Sequence, residues 1–254
     1  MPHKFFEKFT IYKFNELDST NIFATQQLKL NKAAHGDVII AGFQTKGKGQ
    51  ADNHWFSSKN KNALFTIICK DLNIEISSIF IFNIIVSLAL YETFNIYLKN
   101  ENIKIKWPND ILINNKKTAG ILIESSISGN SVKNILIGVG ININEDRFQL
   151  NLPNATSFFT LSSKKYETDE VIFTFLDILN NKLSYFNFSS NFNYKAEYLS
   201  KLYGINNKRY FRSNGNVFEG TIVDVNSNGQ LLVDIDGKIK EFNNKEIEFE
   251  SSSY

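Results

Sequence analysis

The stretch from Ile79 to Leu98 constrains the fold more than any other part of this chain. Ile79, Phe80, Ile81, Phe82, Ile84, Ile85, Val86, Leu88, Ala89 and Leu90 make it apolar on nearly every side of a helix. A helix of that kind has no wet face to offer and must be enclosed. A membrane span needs ~20 largely apolar residues, but Asn83, Ser87, Glu92, Asn95 and Lys99 interrupt this run, and no second span accompanies it. The run therefore predicts a buried central helix, covered by the rest of the chain. The 254 residues, 43% hydrophobic with 23 phenylalanines, suffice for one large domain, or one domain plus a small one.

Strands and helices surround it in a mixed order. Thr10 to Leu17, Gly36 to Ala41, Asn62 to Cys69 and Lys133 to Asn144 have strand texture. Ile22, Phe23, Ala24 and Leu28 recur at helical spacing, and Val171 to Phe186 and Phe192 to Tyr203 also predict helices, the last with Gly204 as its C-cap. After Lys208 the texture changes to short strands: Tyr210–Arg212, Phe218–Val225, Leu231–Ile235 and Ile239–Phe242. Ser213-Asn214-Gly215, Asn226-Ser227-Asn228-Gly229 and Asp236-Gly237 separate them, and Asn-Gly and Asp-Gly are strong hairpin signals. This predicts a β-barrel-like module of about fifty residues, a size that seldom folds alone and so packs on the main domain.

Between the central helix and the 133–144 strand lies Lys106-Trp107-Pro108-Asn109-Asp110, followed by Lys117 and Gly120. Ile103 and Ile105 alternate with Lys104 and Lys106, a short strand with one wet face. Pro108 cannot donate to a ladder, so the strand breaks there. Ile111 to Ile113 and Thr118 to Glu124 then form a hairpin about the turn Asn114-Asn115-Lys116. Asn109, Asp110 and Lys117 are carried where their polar groups can converge. An Asn-Asp pair beside a proline is often only a turn, however, and an exposed lysine often only solvates a face.

Three other segments carry chemistry. Asp18-Ser19-Thr20-Asn21 precedes a helix, and all four residues are good N-caps; four exceed what one cap needs. Gln44-Thr45-Lys46-Gly47-Lys48-Gly49-Gln50 is a glycine- and lysine-rich loop closed by Trp55. From Gly42 its spacing approaches a phosphate-binding P-loop, but position 49 is glycine rather than Ser or Thr, and Ala51-Asp52-Asn53-His54 does not open an amphipathic helix. Gly138-Val139-Gly140-Ile141-Asn142 puts two glycines inside a strand, where they mark close approach by another chain segment or a ligand.

Composition excludes several classes. With 28 basic and 26 acidic residues the net charge is +2, which argues against a protein that coats nucleic acid. Arg147, Arg209 and Arg212 are the only arginines, so lysine must do most anion binding. A single cysteine, Cys69, rules out an intrachain disulfide and thiol-based zinc sites. His3, His35 and His54 lack metal-ligand spacing and are expected to be surface or loop residues. No apolar signal core follows Met1-Pro2-His3-Lys4, which predicts a cytoplasmic protein.

Taken in order, these motifs resemble the biotin protein ligases. Ser19-Thr20-Asn21 matches the family's Ser-Thr-Asn; Gln44-x-x-Gly47-Lys48-Gly49 with Trp55 matches its biotin-binding loop. Lys106-Trp107-Pro108-Asn109-Asp110 with Lys117 and Gly120 is its most specific signature. Gly138-x-Gly140-Ile141-Asn142 and Ala155-Thr156-Ser157 match later motifs. The resemblance implies an α+β fold: residues 1–206 form a class II aminoacyl-tRNA-synthetase-like catalytic domain with a mixed sheet and helices, and residues 207–254 an SH3-like barrel. It implies attack of biotin's carboxylate on the α-phosphate of ATP, giving biotinyl-5′-AMP, then transfer to a lysine of biotin carboxyl carrier protein, with Mg²⁺ on the phosphates. Lys117 and Lys48 would be catalytic. Ser19, Thr20, Asn21, Gln44, Gly47, Lys48, Trp107, Lys117 and Gly120 would bind biotin. Gly49, Gln50, Trp55, Asn109, Asp110, Gly138 and Asn142 would bind the adenylate, Asn109 and Asp110 either by orienting it or by fixing the loop. The loop would be mobile when empty and close under Trp55.

No metal ligand is assigned, and no nucleic-acid or membrane partner is expected; a homodimer is compatible with the resemblance. The first motif begins at Ser19, so the helix-turn-helix of larger members is not expected. Lys48 and Gln50 stand where the family carries arginines, Asn53 replaces a third basic residue, and Asn60 a glycine, so the adenylate is expected to be held less tightly. The alternatives are a lipoate–protein ligase, against which Lys106–Asp110 weighs, and a non-catalytic biotin-binding module, against which Lys117 and the glycine loop weigh.

Overall fold

The computed structural model describes residues 4–50, 53–148, 152, 154–186 and 192–250. Its main sheet is built from β1 (Thr10–Phe14), β2 (Asp37–Ala41), β3 (Ala63–Cys69), β4 (Ile74–Glu75), β5 (Ile103–Lys106), β6 (Asp110–Ile113), β7 (Lys116–Ser128) and β8 (Ser131–Ile141). The strand order is β1-β2-β3-β8-β7-β6-β5, with β4 pairing to the start of β8. β1 and β2 are parallel, joined by α1 (Thr20–Lys29); the other pairs are antiparallel. All seven residues of β3 are buried, as a central strand covered on both faces must be.

The apolar run forms α2 (Ile79–Tyr97), enclosed between the sheet and α4 (Thr168–Tyr185) with α5 (Phe192–Lys201). Among the described residues it alone is long and apolar enough to cross a membrane, and protein, not lipid, takes up its surface: Ile81 through Leu90, with Thr93 and Phe94, are all buried. Its buried hydroxyls are answered within the helix, while Glu92 pairs with Lys182 of α4 at 2.6 Å. Ser87 Oγ donates to Asn83 Oδ1 at 3.2 Å and Thr93 Oγ1 to the Ala89 carbonyl at 2.7 Å, so they cost little in burial.

The sheet's other face is covered in part. Under α1, Ala24 packs with Ala33, Ile39, Ile68 and Leu136 in a small separate core. Beyond α1 the same face carries Gly120, Gly138 and Gly140 in adjacent rows of β7 and β8. This uncovered half holds the site.

The C-terminal strands form a second antiparallel sheet in the order β12-β11-β10-β9-β13: β9 (Lys208–Ser213), β10 (Asn216–Val225), β11 (Leu231–Ile235), β12 (Lys238–Phe242) and β13 (Glu248–Phe249). Asn214-Gly215 and Asp236-Gly237 take positive φ at both residues (49° and 79°; 52° and 78°), the geometry of the tight hairpin turns their sequences announce. Phe211, Ile222, Val225, Leu231 and Val233 belong to one continuous core with the main sheet. The two sheets therefore share an apolar interior.

His35 lies in the loop before β2, as expected, but it does more than fill a loop. It is half-buried and stacks on Phe6, ring centroids 4.7 Å apart. Nδ1 accepts from the Lys70 amide at 3.1 Å, which leaves Nε2–H to donate to the Phe5 carbonyl at 2.9 Å. The ring ties the N-terminal segment to the end of β3. Burial pushes the Cys69 thiol well above its ordinary pKa, so it is an inert core residue.

Candidate active site

The hairpin of β6 and β7 presents Lys117 by means of a β-bulge. Asp110 pairs with Gly120 and Ile111 with Ala119, but Leu112 pairs with Lys117, so Thr118 is an extra residue in β7. In a regular strand, residues three apart point to opposite faces. The bulge absorbs one residue and brings Lys117 onto the face of Asp110 and Gly120. Its Nζ lies 2.7 Å from Asp110 Oδ1. The backbone groups freed by the bulge are answered elsewhere. The Lys117 amide donates to the Asn154 carbonyl at 2.7 Å, and its carbonyl accepts from the Thr156 amide at 2.9 Å. The Ala155-Thr156-Ser157 motif is thus a strap on the lysine. Ser157 then starts α3 (Phe158–Ser162) through a capping box with Thr160.

Asp110 and Lys117 open onto a cavity of about 200 Å³ lined also by Ser19, Thr20, Asn21, Gln44, Lys48, Gly49, Gln50, Trp55, Asn109, Gly120 and Gly138. Its floor is set by the glycines, which admit protein side chains. A Cβ on Gly140 would lie 2.5 Å from Trp55 Cε2 and one on Gly120 2.9 Å from Trp55 Cζ3, so the indole is seated on the sheet. A Cβ on Gly138 would lie 2.3 Å from Asn21 Oδ1. Lys117 Nζ stands 5.6 Å from the Trp55 ring centre. Trp55 Nε1 is buried without a partner among the described residues, a donor available to a ligand.

The polar cluster before α1 behaves unexpectedly. Ser19 is the N-cap residue, yet its side chain makes no cap bond. The helix is capped instead from the glycine loop: Gln44 Oε1 accepts from the Thr20 amide at 2.7 Å and lies 3.1 Å from Thr20 Oγ1. Ser19, Thr20 and Asn21, all under 5% exposed, are thereby freed to line the cavity. Asp18 anchors the loop. Its carboxylate accepts from Thr45 Oγ1 at 2.6 Å and Lys46 Nζ at 3.0 Å, and its carbonyl from the Lys46 amide at 2.8 Å. The Thr45 hydroxyl first, then Lys46, hold the Asp18 carboxyl below its ordinary pKa. A carboxylate with a depressed folded-state pKa stabilises above its unfolded value, near 4, and loses that contribution as pH falls through the depressed one. Amide-exchange protection of Thr45 and Lys46, corrected for intrinsic rates, should therefore hold at neutral pH and collapse in that acid window. In Asp18→Asn it should be lower at pH 7 and nearly flat; an unchanged acid profile would remove Asp18 as the anchor.

Three of the expected site residues lie elsewhere. Trp107 does not cover the cavity: it is 4% exposed, and its Nε1 donates to the Gly229 carbonyl at 2.8 Å, joining the hairpin to the C-terminal sheet. Trp107 continues the buried alternation of Ile103 and Ile105, on the face opposite Lys106, which pairs with Asp110. Asn142 is buried and donates to the Thr156 carbonyl at 3.2 Å, so it holds the strap on Lys117. Gly47 faces protein: a Cβ there would lie 2.4 Å from the Trp55 carbonyl, whose amide donates to Gly47 O at 2.9 Å. Its lack of a side chain lets the loop fold on itself. Asn109 fixes the turn, its Nδ2 donating to the Ile121 carbonyl at 2.7 Å. Asn60, which stands where the family has glycine, takes the left-handed conformation that asparagine tolerates, with φ of 56°.

Sequence reasoning missed several participants. Thr66 Oγ1 lies 2.5 Å from Asn21 Oδ1 and 2.8 Å from Thr20 Oγ1. Glu124 Oε2 accepts from Asn21 Nδ2 at 2.8 Å, and Oε1 lies 3.6 Å from Lys48 Nζ. Asn244, from the connection between β12 and β13, lines the cavity and donates to Gln50 Oε1 at 2.6 Å. Alternation along β7 from Gly120 reaches Glu124 and was the available signal for it; nothing local foretells Asn244. Burial lowers the Lys106 pKa, and Lys117 adds to the effect while Asp110 opposes it.

A sequence profile of the biotin/lipoate A/B protein ligase family matches residues 14–142, a span that contains β2 through β8 and most of the cavity's lining. The chain belongs to that family. It is 27% identical over 238 residues to the bifunctional ligase/repressor BirA of Bacillus spizizenii, an alignment covering 92% of this chain and 73% of that one. It is 32% identical over 128 residues to the biotin–[acetyl-CoA-carboxylase] ligase of Paracoccus denitrificans, covering 50% and 51%. The biotin protein ligase of Aquifex aeolicus, solved with biotin and ATP, superposes with a TM-score of 0.77 at 22% identity, over 97% of this chain and all of that one.

Proposed function

We propose that the protein is an ATP-dependent biotin ligase that forms biotinyl-5′-AMP and transfers the biotinyl group to a lysine of biotin carboxyl carrier protein. The observation that carries this reading is the meeting in one cavity of Lys117, from the β6–β7 hairpin, and Lys48, from the glycine loop, beside the polar edge of Gln44 and the buried Ser19 and Thr20. A carboxylate and a triphosphate repel, so joining them requires fixed positive charge where negative charge develops. Lys117 supplies it, held in direction by Asp110. Lys48 supplies more from the loop. The ureido edge of biotin needs donors and acceptors, which Ser19 Oγ, Thr20 and Gln44 Nε2 provide. Displacement at the α-phosphate expels pyrophosphate; attack of the carrier's ε-amine on the acyl carbon then expels AMP.

Among the described residues no three metal-ligating side chains cluster, and the carboxylates of Asp110 and Glu124 each face a lysine. Those residues do not fit a protein-held metal. Mg²⁺ fits as an ion brought on the phosphates of the nucleotide, where it would neutralise charge.

The deciding experiment is exchange of labelled pyrophosphate into ATP, with biotin and lipoate in parallel. Biotin-dependent exchange supports the reading; exchange with lipoate alone would replace it. A finer check concerns Gln44. Gln44→Glu keeps an acceptor for the Thr20 amide and removes the amide donor, so biotin should bind roughly tenfold more weakly, within the ~1–3 kcal/mol cost of an unmade buried hydrogen bond. ATP affinity should hold. Gln44→Ala should in addition loosen the start of α1. Equal losses for both ligands by calorimetry would count against a ureido role.

A further inference from the structure

Glu124 and the loop lysine belong to one polar chain. Lys48 Nζ faces Glu124 Oε1 at 3.6 Å; Glu124 Oε2 accepts from Asn21 Nδ2 at 2.8 Å; Asn21 Oδ1 lies 2.5 Å from Thr66 Oγ1. Thr66 Oγ1 is 2.8 Å from Thr20 Oγ1, which is 3.1 Å from Gln44 Oε1. The chain begins and ends on the same glycine loop, at Lys48 and Gln44, on either side of Gly47. Between those ends it crosses β7, α1 and β3. Its central members, Asn21 and Thr66, are buried, while Lys48, which lines the cavity, and Glu124 are half-exposed.

The two ends have different tasks. The Gln44 end meets the ureido edge of the acyl substrate, and the Lys48 end meets phosphate. Lys48 cannot serve a phosphate while it neutralises Glu124, and the carboxylate is the only anion that any described contact of Lys48 provides. Building on the function proposed above, we propose that Glu124 is a positioning residue. It is the counter-ion that holds Lys48 in the empty site and yields it to the nucleotide phosphate. Through Asn21 it fixes the carboxamide that walls the acyl-substrate pocket. Its charge works against nucleotide binding, since phosphate and Glu124 compete for one lysine. Its second oxygen works for acyl-substrate binding, since Asn21 has no other described acceptor for its amide.

These two effects separate in two variants of the full chain. Glu124→Gln retains a carbonyl oxygen for Asn21 and removes the charge. Calorimetric ATP affinity should rise about threefold, with the gain shrinking in high salt as surface pairing does; biotin affinity should stay within about twofold. Glu124→Ala should show the same ATP gain and lose about tenfold in biotin affinity. In a Lys48→Ala background, Glu124→Gln should no longer alter ATP binding, because the pair it breaks is already gone. An ATP gain that persists without Lys48, no gain at all, or equal biotin losses in both Glu124 variants would overturn the proposal. The ATP arm does not depend on the identity of the acyl substrate. A wild-type protein that binds ATP but not biotin would refute the proposed function while the ATP arm still decides the role of Glu124.

Discussion

Lys117→Ala is expected to abolish adenylate formation and leave the protein folded. The side chain is 40% exposed and its described contacts are Asp110 and the outer face of Trp55, so it holds little of the core. Exposed pairs of this kind contribute ~0–1 kcal/mol, and the melting temperature should barely move. The loss in rate is of another order. A preorganised charge aimed at a reacting phosphate acts in a partly closed site, where removing one such group costs about 10²–10³. Pyrophosphate exchange and thermal unfolding, measured on one preparation, separate the two effects. Near-normal exchange in a folded variant would remove Lys117 from the reaction.

Gly138→Ala should be almost as damaging by a different route. The new methyl would lie 2.3 Å from Asn21 Oδ1 and 2.9 Å from its Cγ. Asn21 is 3% exposed and tied at one end to Thr66 and at the other to Glu124, so it cannot swing into solvent. Either the start of α1 or the middle of β8 must shift, which costs ~1–3 kcal/mol in a well-packed interior. Biotin affinity should fall by at least about tenfold, because Asn21 and Thr20 move with the helix. Adding Asn21→Ala removes the clash. The double variant should recover most of the lost stability and none of the biotin affinity. A single variant as stable as wild type would mean that the glycine is not there to seat Asn21.

Most elements were legible because their signals are local. The apolar run announced an enclosed helix, the Asn-Gly and Asp-Gly turns announced the C-terminal hairpins, and most of the expected site residues line one cavity. What escaped was non-local. That Trp107 joins the two sheets, instead of covering a ligand, depends on Gly229, more than a hundred residues further on. That Asn142 serves Lys117 depends on a strap from residues 154 to 156. The cluster Asp18–Asn21 at the start of α1 offers more cap residues than one helix needs, yet the capping atom comes from Gln44. His35 sits in the chain as an unremarkable loop residue and becomes a tie only when Phe5, Phe6 and Lys70 surround it. In each case composition supplied the right kind of atom, and only the tertiary arrangement chose its partner. The shared core also shows why cutting the chain at Lys208 would be a blunt probe of the small module, and why Asn244, which reaches Gln50, is a sharper one.

The extra residue at Thr118 makes the grip on Lys117 a matter of counting. Natural variation can exchange side chains in the Asn114-Asn115 turn without changing which way the lysine points. Dropping Thr118 would leave an even spacing, which plain alternation already places on the face of Gly120, but it would erase the bulge and with it the hold of Asn154 and Thr156 on the Lys117 backbone. Length at this spot therefore governs how firmly the lysine is gripped more than which way it points. A gene one codon shorter here would encode a lysine on the correct face without its strap.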